Sequence, residues 1–233
     1  MADERTAELV GSLGAVRNRI ANACEAVGRD PRSVTLIAVT KTYPASDVAA
    51  LAALGVQDIG ESKDQEARTK VAELPDLAVR WHMVGRLQTN KARSVAGWAS
   101  AVHSVDRAKL VRPLAEAAAD RPAPLGVFVQ VSLDGAPSRG GVLDADLDGL
   151  CDQVAARDSL RLDGLMAVAP VGADPDEAFA ALAALADRVR AAHPGAQALS
   201  AGMTGDLEAA IRNGATHVRV GTALLGRRAP VFG

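Results

Sequence analysis

Lysine is scarce in this chain, and one lysine is placed where it could do chemistry. Only five of the 26 basic residues are lysines, and Lys41 follows an apolar, β-branched segment at 34–39 that predicts a buried strand. An amine at a strand end is partly desolvated, which lowers its pKa and leaves more neutral amine to attack an aldehyde and form an imine. The other four lysines lie in polar helical segments and are predicted to be solvated. An ion pair between Lys41 and Glu61 remains an equally consistent interpretation.

Two glycine-containing turns in the last part of the sequence have the composition of a phosphate site. Each turn follows a predicted strand, at a point where backbone N–H groups converge and favour an anion. The residues concerned are Ser200, Gly202, Met203 and Thr204 in the first turn, and Arg219, Gly221 and Thr222 in the second. Simple turn formation or helix capping explains either turn taken alone. Together with Lys41, the pair predicts a phosphorylated aldehyde held as an imine, a description that pyridoxal 5'-phosphate (PLP) fits.

The histidines and cysteines give weaker signals. His82 lies in a predicted strand and is better explained as a buried residue than as a general base, and the remaining histidines have no partner motif. Cys24 and Cys151 are too few and too far apart for a disulfide framework or a zinc signature, so a reduced, cytoplasmic protein is expected. No set of His, Cys and carboxylate residues has the spacing of a metal site.

Alternating strands and helices must position these groups. Strands are predicted at 34–39, 56–59, 81–84, 101–105, 126–132, 162–168, 196–199 and 217–220. Helical segments are predicted at 46–54, 61–73, 88–96, 107–119, 143–156, 176–192 and 206–213. Eight parallel strands suffice to close a barrel, and no Gly-x-Gly-x-x-Gly motif follows the first strand. The predicted fold class is therefore α/β, a single-domain (β/α)8 TIM barrel that spans residues 1–233, in preference to a doubly wound open sheet.

The predicted barrel carries an extra helix at its N-terminus. Apolar residues recur at helical spacing over the first 25 or so positions, and Gly28 and Pro31 end the pattern. Only seven residues follow Gly226, too few for a full eighth helix. The N-terminal helix is therefore expected to cover part of the outer ring.

Composition excludes several classes of protein. The 233 residues are 48% hydrophobic and 23% charged, with a net charge of −2, which is typical of a soluble globular protein. The balance of charge offers no footprint for nucleic acid. No leader-like segment and no stretch of about 18 apolar residues occurs, so neither export nor membrane insertion is expected. A monomer or weak dimer is predicted.

Five ordered motifs resemble one protein family. They are Ile37-Ala38-Val39-Thr40-Lys41-Thr42, Ile59-Gly60-Glu61-Ser62-Lys63-Asp64-Gln65-Glu66, Trp81-His82-Met83-Val84-Gly85-Arg86-Leu87-Gln88-Thr89-Asn90-Lys91, Gly164-Leu165-Met166-Ala167 and Val218-Arg219-Val220-Gly221-Thr222-Ala223. Together they resemble the pyridoxal phosphate homeostasis proteins, a family similar to the barrel half of bacterial alanine racemase. The resemblance extends from about Val34 to Gly226.

The resemblance implies specific roles for the residues singled out above. It implies an internal aldimine on Lys41, phosphate contacts from the turn at 200–204 and from Gly221 and Thr222, and a position for Arg219 near the cofactor ring or phosphate. An arginine that faces the pyridine nitrogen keeps this nitrogen unprotonated and weakens the ring as an electron sink. Such a site binds the cofactor without favouring carbanion chemistry.

Three positions depart from the commonest pattern of the family. Ser62 and Ser132 stand where asparagine is usual, and Arg139 stands where lysine is frequent before Gly140. Side-chain hydrogen bonds near the ring at positions 62 and 132 are therefore in question, as is any second lysine in the loop at 139.

The leading hypothesis is a non-catalytic PLP carrier, which buffers the cofactor or delivers it to PLP-dependent apoenzymes. An amino-acid racemase of the resembling type also needs a second base, a tyrosine from a C-terminal β-domain. The sole tyrosine here is Tyr43, two residues from Lys41. A class I aldolase, whose lysine forms an imine with a sugar phosphate itself, is the third interpretation.

Overall fold

A computed structural model describes residues 2–136 and 139–226. The strands of this part of the chain are β1 (Thr35–Val39), β2 (Asp58–Glu61), β3 (Arg80–Met83), β4 (Ala101–Val105), β5 (Leu125–Gln130), β6 (Leu160–Met166), β7 (Ala198–Ser200) and β8 (His217–Val220). The helices are α1 (Ala2–Glu25), α2 (Ala45–Ala53), α3 (Asp64–Glu73), α4 (Ala92–Ala96), α5 (Val111–Ala118), α6 (Asp144–Ala155), α7 (Pro175–Ala192), α8 (Leu207–Arg212) and α9 (Thr222–Leu225). Short 3-10 turns precede β1, α4 and α5 at Pro31–Ser33, Thr89–Lys91 and Ala108–Leu110.

The described strands form one closed parallel barrel in sequence order, which confirms the predicted (β/α)8 fold. Strand β1 closes the barrel, with Thr35 opposite His217 of β8 and Ile37 opposite Asp58 of β2. Because the strands are parallel, their carboxyl ends lie together at one mouth of the barrel, which we call the C-terminal mouth. The residues that follow β1, β7 and β8 therefore share this mouth.

The ends of several elements differ from the predicted ones. Strand β2 begins at Asp58 rather than at residue 56, because Asp58 is the first residue that pairs with β1, and it continues through Glu61. Helix α3 accordingly begins at Asp64 rather than at Glu61. The segment predicted as a helix at 88–96 begins with a 3-10 turn, and the regular helix is confined to Ala92–Ala96.

Helix α1 covers the side of the barrel where α9 is only four residues long, as predicted. Its buried face shares one apolar cluster with α8 and α9, which includes Leu9, Leu13, Val16, Ile20, Leu207, Ile211, Leu224 and Leu225. An ion pair between Arg19 and Glu208 (2.6 Å) adds a polar contact between α1 and α8. The N-terminal helix thus supports the two units that carry the predicted phosphate turns.

Candidate functional site

The turns that follow β7 and β8 are joined to each other. The Arg219 N–H donates to the Gly202 carbonyl oxygen (2.9 Å). The Ala223 N–H donates to Thr204 Oγ1 (3.3 Å), which links the first turn of α9 to the end of the turn at 200–204. The two predicted phosphate turns therefore form one continuous part of the C-terminal mouth.

Gly221 connects this pair of turns to strand β1. A Cβ atom built at Gly221 would lie 3.3 Å from the Val39 carbonyl oxygen, so the two backbones approach closely. Val39 is the last residue of β1, and Lys41 follows two residues later. Exposed Thr222 begins α9 directly beyond Gly221, where the first N–H groups of a helix have no intrahelical acceptor. The structure thus brings the predicted lysine and the predicted anion-binding turns to adjacent positions.

Lys41 lies in a tight turn after β1. The Tyr43 N–H donates to the Thr40 carbonyl oxygen (3.0 Å), and Thr42 has a φ of 68°, which residues other than glycine seldom adopt. Lys41 is exposed, so the predicted desolvation of its amine is not found. Within the described ranges, Lys41 Nζ has no hydrogen-bond or ion-pair partner, and the alternative of an ion pair with Glu61 is not formed. The amine is therefore accessible to a ligand.

A buried network fixes the backbone on both sides of Lys41. Lys70 Nζ donates to the Thr40 carbonyl oxygen (2.7 Å), to Glu61 Oε1 (2.6 Å) and to Glu66 Oε1 (2.8 Å), which uses all three ammonium hydrogens. The Thr40 hydroxyl donates to Glu61 (2.6 Å), and the Thr42 N–H donates to Glu66. Burial raises the pKa of Glu61, although its hydrogen bonds oppose this shift. The prediction that Lys70 is solvated is wrong, because the residue is only 4% exposed and lies beneath this turn.

The turn at 200–204 has a conformation that requires glycine. Gly202 has a φ of 87°, and a Cβ atom there would lie 2.6 Å from the Ala210 Cβ atom. The Met203 N–H donates to Asp206 Oδ1 (2.6 Å), and Met203 is partly exposed at this mouth. The turn is therefore ordered by its own contacts.

Arg219 and Ser200 lie inside the barrel. Arg219 donates through Nη1 to Ser200 Oγ (2.7 Å) and through Nη2 to the Ala167 carbonyl oxygen (3.0 Å). Burial lowers the pKa of Arg219 to about 10, so the guanidinium remains charged at neutral pH. The Ser200 hydroxyl is fully buried and holds Arg219. Ser200 is thus positioned as a partner of Arg219 inside the barrel, whereas Gly202 to Thr204 form the rim.

His82 is buried, as predicted, and it is hydrogen-bonded to His103, for which the sequence offers no partner motif. His82 Nε2 lies 2.9 Å from Asp58 Oδ1, His82 Nδ1 lies 3.0 Å from His103 Nε2, and His103 Nδ1 lies 2.9 Å from Ser200 Oγ. Sequence reasoning missed this arrangement because its members come from four different strands. The one available signal was strand alternation, which turns His82 and His103 toward the same face of adjacent strands.

A cavity of about 760 Å³ opens at the same mouth, among the loops that follow β2, β3 and β4. Its lining includes four cationic side chains, Lys63, Arg86, Lys91 and Arg107, together with Asp64. Lys91 lies 3.8 Å from Asp64, and Arg107 pairs with a neighbouring aspartate. This side of the mouth is therefore electropositive.

The three departures from the family pattern lie in the loops that follow β2 and β5. Ser62 lines the cationic cavity, and the Ser132 N–H donates to the Val142 carbonyl oxygen (2.9 Å). Arg139 forms an ion pair with Asp134. None of these contacts involves the turn that carries Lys41.

Residues 2–136 and 139–226 contain neither a metal-ligating cluster nor a membrane-spanning helix. No group of three or more His, Cys, Asp and Glu side chains in these ranges is arranged to hold a metal ion. In the same ranges, no helix combines the length and the apolar character needed to cross a membrane.

A closed eight-stranded barrel with an accessible lysine after β1 and joined small-residue turns after β7 and β8 defines a (β/α)8 protein of the alanine racemase type. The family model described as "Alanine racemase, N-terminal domain" matches residues 12–229. This range includes the barrel and most of helix α1.

Curated relatives and a solved structure specify the family more closely. The chain is 48% identical over 244 residues to a pyridoxal phosphate homeostasis protein of Mycobacterium bovis, covering 97% of this chain and 95% of the relative. It is 36% identical to the Escherichia coli protein of the same name, covering 95% and 97%. The structure of PipY from Synechococcus elongatus with PLP bound has a TM-score of 0.78 and 34% identity, covering 89% of this chain and all of PipY. This chain belongs to the family of pyridoxal phosphate homeostasis proteins.

Proposed function

We propose that this protein binds PLP reversibly through Lys41 and buffers the cofactor or delivers it to PLP-dependent apoenzymes without catalysing turnover. The observation that supports this function best is the contact between the turns at 200–204 and 219–222, beside the end of β1. The names of the relatives and the PLP found in the PipY structure support the same ligand.

The residues present fit such a ligand. When bound, PLP supplies an aldehyde that condenses with an amine and releases water, and a phosphate that carries negative charge. Lys41 offers an amine that has no partner among the residues that the structure describes. The turns offer backbone N–H groups and the hydroxyls of Thr204 and Thr222 for the phosphate, with exposed Met203 and the two glycines shaping the rim. Arg219, held by Ser200, brings a buried positive charge toward the ring or the phosphate.

Two observations favour binding without turnover. The guanidinium of Arg219 is a weak acid that keeps its protons at neutral pH, so toward a pyridine nitrogen it would donate a hydrogen bond without transferring the proton, and the ring would remain a poor electron sink. The hydroxyl of Tyr43, the sole tyrosine, donates to the Gly226 carbonyl oxygen (2.7 Å), and Arg5 lies 5.8 Å from its ring centroid. Tyr43 thus anchors the Lys41 turn to the end of α9, which is a structural role.

Reductive trapping tests the proposal. The protein is incubated with PLP, reduced with borohydride and digested, and the mass of the modified peptide is measured. A pyridoxyl-phosphate adduct on Lys41 is expected in the wild type and is absent from Lys41→Ala, whereas Lys63→Ala removes another exposed lysine and retains the adduct. A full near-ultraviolet to visible absorption band in Lys41→Ala would contradict the proposal.

The same protein preparation distinguishes the proposed PLP carrier from a class I aldolase and from an amino-acid racemase. If the resting protein, trapped without added ligand, carried a sugar-derived mass on Lys41, a class I aldolase would be favoured. Chiral analysis of alanine after long incubation is expected to show no Lys41-dependent racemisation, and appreciable turnover would restore the racemase hypothesis.

We further propose that residues 1–233 form one PLP-binding domain, and that the protein is a cytoplasmic monomer or weak dimer. The single closed barrel and the packing of α1 against α8 and α9 support one domain. Light scattering at several protein concentrations measures the oligomeric state. A stable assembly larger than a dimer would contradict the proposed monomer or weak dimer.

A further inference from the structure

A chain of hydrogen-bonded side chains crosses the barrel interior. It runs from Asp58 to His82 (2.9 Å), from His82 to His103 (3.0 Å), from His103 to Ser200 (2.9 Å) and from Ser200 to Arg219 (2.7 Å). Every member is at least 95% buried by its residue area. The chain begins at a cavity of about 430 Å³ lined by residues from the amino-terminal ends of the strands, and it ends at the arginine of the proposed cofactor site.

The two ends of this chain determine its direction. A guanidinium only donates hydrogen bonds, and an ionised carboxylate only accepts them. Burial tends to raise the pKa of Asp58, but hydrogen bonds from His82 and Arg80 outweigh burial and lower it, so Asp58 is ionised at neutral pH. Arg219 must therefore donate to Ser200 Oγ, and His82 Nε2 must donate to Asp58.

One arrangement of protons satisfies every link with both imidazoles neutral. Ser200 donates to His103 Nδ1, His103 Nε2–H donates to His82 Nδ1, and His82 Nε2–H donates to Asp58. If the hydrogen bonds between His82 and His103 and between His103 and Ser200 were donated in the opposite direction, His82 would have to be an imidazolium with a second proton on its Nδ1. Complete burial lowers the pKa of His103 well below its usual value, and His103 is neutral whichever way the links run. The arrangement with two neutral rings places no further cation inside the barrel beside buried Arg219, and for this reason it is the expected one.

This series of hydrogen bonds stabilises the buried positive charge of Arg219. Among the described residues, no carboxylate lies at ion-pair distance from its guanidinium. A buried charge is costly unless it is fully hydrogen-bonded. Hydrogen bonds aligned in one direction polarise one another, so Ser200 Oγ becomes a stronger acceptor for Arg219 when its own hydrogen is donated to His103.

We propose that His82 and His103 are positioning residues for Arg219. The two histidines orient the Ser200 hydroxyl as the acceptor of Arg219, because every hydrogen bond of the series from Arg219 to Asp58 is donated in the same direction. The significance of this for the cofactor rests on the proposed function. The proton arrangement itself belongs to the protein without its cofactor, where it is measurable.

Nitrogen-15 NMR of the histidine side chains, in cofactor-free protein at neutral pH, tests the direction of the chain. His82 and His103 are both expected to be neutral, with the proton on Nε2. An imidazolium at His82, or a proton on Nδ1 of either ring in the neutral form, would overturn the proposal. The wild-type protein suffices for this measurement.

A matched pair of variants tests the role of Asp58. Asp58→Ala and Arg80→Ala break the same ion pair, in which Arg80 Nη2 lies 2.6 Å from Asp58 Oδ2, but only the first removes the acceptor of His82. A mixture of His82 tautomers is expected in Asp58→Ala, and the wild-type tautomer is expected in Arg80→Ala. Identical spectra of the two variants would contradict the assigned direction.

A second pair tests the effect on Arg219. His103→Leu removes a link of the chain, whereas Phe128→Leu removes the ring that stacks on His103 (centroids 4.0 Å apart) and leaves the chain intact. Exchange of the Arg219 guanidinium hydrogens with solvent is expected to be about tenfold faster in His103→Leu, as the weakening of a charged hydrogen bond predicts. Equal exchange rates in the two variants would refute the positioning role.

These measurements keep the two proposals separate. Failure of PLP to form an adduct on Lys41 would contradict the proposed function and leave the NMR result unchanged. In PLP-loaded protein, a shifted absorption band in His103→Leu but not in Phe128→Leu is expected, and the same band in both variants would refute an effect of the chain on the cofactor.

Discussion

Two lysines near the end of β1 have opposite surroundings. Lys41 is exposed and has no partner among the described residues, while Lys70 is buried and bound by three acceptors. The carboxylates of Glu61 and Glu66 are thus engaged by Lys70, which leaves the Lys41 amine free of ion pairs. This division separates an amine available for reaction from an amine that maintains the shape of the turn.

Removal of the Lys70 ammonium is expected to be costly. In Lys70→Met, Glu61 would remain as a buried carboxylate without its cation, and loss of one partner of a buried pair costs about 3–5 kcal/mol. Urea unfolding measures this loss in the free energy of unfolding. The matched variant Lys91→Met removes a half-exposed lysine 3.8 Å from Asp64 and is expected to cost less than about 1 kcal/mol. Equal losses would contradict the role assigned to Lys70.

His217 is expected to make the free energy of unfolding depend on pH. Burial lowers its pKa to about 4, below the ordinary value of 6.5, so between these values the unfolded chain binds the proton more tightly than the folded protein does. Stability is therefore expected to fall as the pH decreases from about 6.5 to about 4, by up to roughly 3 kcal/mol for this residue. Urea unfolding at pH 7, 5.5 and 4.5 measures the slope. His217→Gln is expected to reduce it, and a slope equal to that of the wild type would refute the assignment.

At the scale of the secondary-structure elements, the loops after β1, β7 and β8 act as one unit. The β1–β8 pairing sets the separation of the first and last loops, and the hydrogen bond between Ala223 and Thr204 joins the last two. Helices also hydrogen-bond these regions: Arg19 of α1 donates to the Thr204 carbonyl oxygen (2.9 Å), Lys70 of α3 to that of Thr40 (2.7 Å), and Ser12 of α1 to that of Leu224 (2.6 Å). A distortion in one loop is therefore expected to affect the whole proposed phosphate site.

Two glycines in the same loop provide a matched test. Gly202→Ala places a Cβ atom 2.6 Å from the Ala210 Cβ atom at a φ of 87°, and the backbone conformation alone costs about 1–2 kcal/mol. We expect lower stability and weaker PLP retention. Gly205→Ala adds a Cβ atom that meets nothing within 4 Å and is expected to leave both unchanged. PLP release is followed by absorbance during dialysis, and equal release by the two variants would contradict the proposed phosphate contacts.

At the scale of the whole molecule, closure of the barrel pairs every described strand on both sides. A closed sheet has no exposed edge, and its stability depends on the first and last strands meeting. Helix α1 reinforces this closure, because its apolar face packs on the units that contain β7 and β8.

Cooperative unfolding is expected from this architecture. If residues 1–233 form one domain, urea unfolding followed by circular dichroism and by the fluorescence of Trp81 and Trp98 will give coincident transitions. Transitions that differ between the two signals would contradict a single domain. Limited proteolysis provides a second measurement. Stable fragments produced by cleavage within the barrel would also contradict a single domain.

Local patterns in the sequence determined the order of the elements, the eightfold alternation and the placement of Lys41, Gly202 and Gly221 after strands. These features depend on hydrophobic periodicity and on turn residues close together in the sequence, so they can be predicted without a structure. Tertiary structure alone decided that Lys70 is buried against Glu61 and that Lys41 has no partner within residues 2–136 and 139–226. It also decided that one series of hydrogen bonds links Asp58, His82, His103, Ser200 and Arg219. The physical reason is that burial and hydrogen bonding depend on which residues of different strands meet inside the closed barrel, and no local pattern specifies those distances.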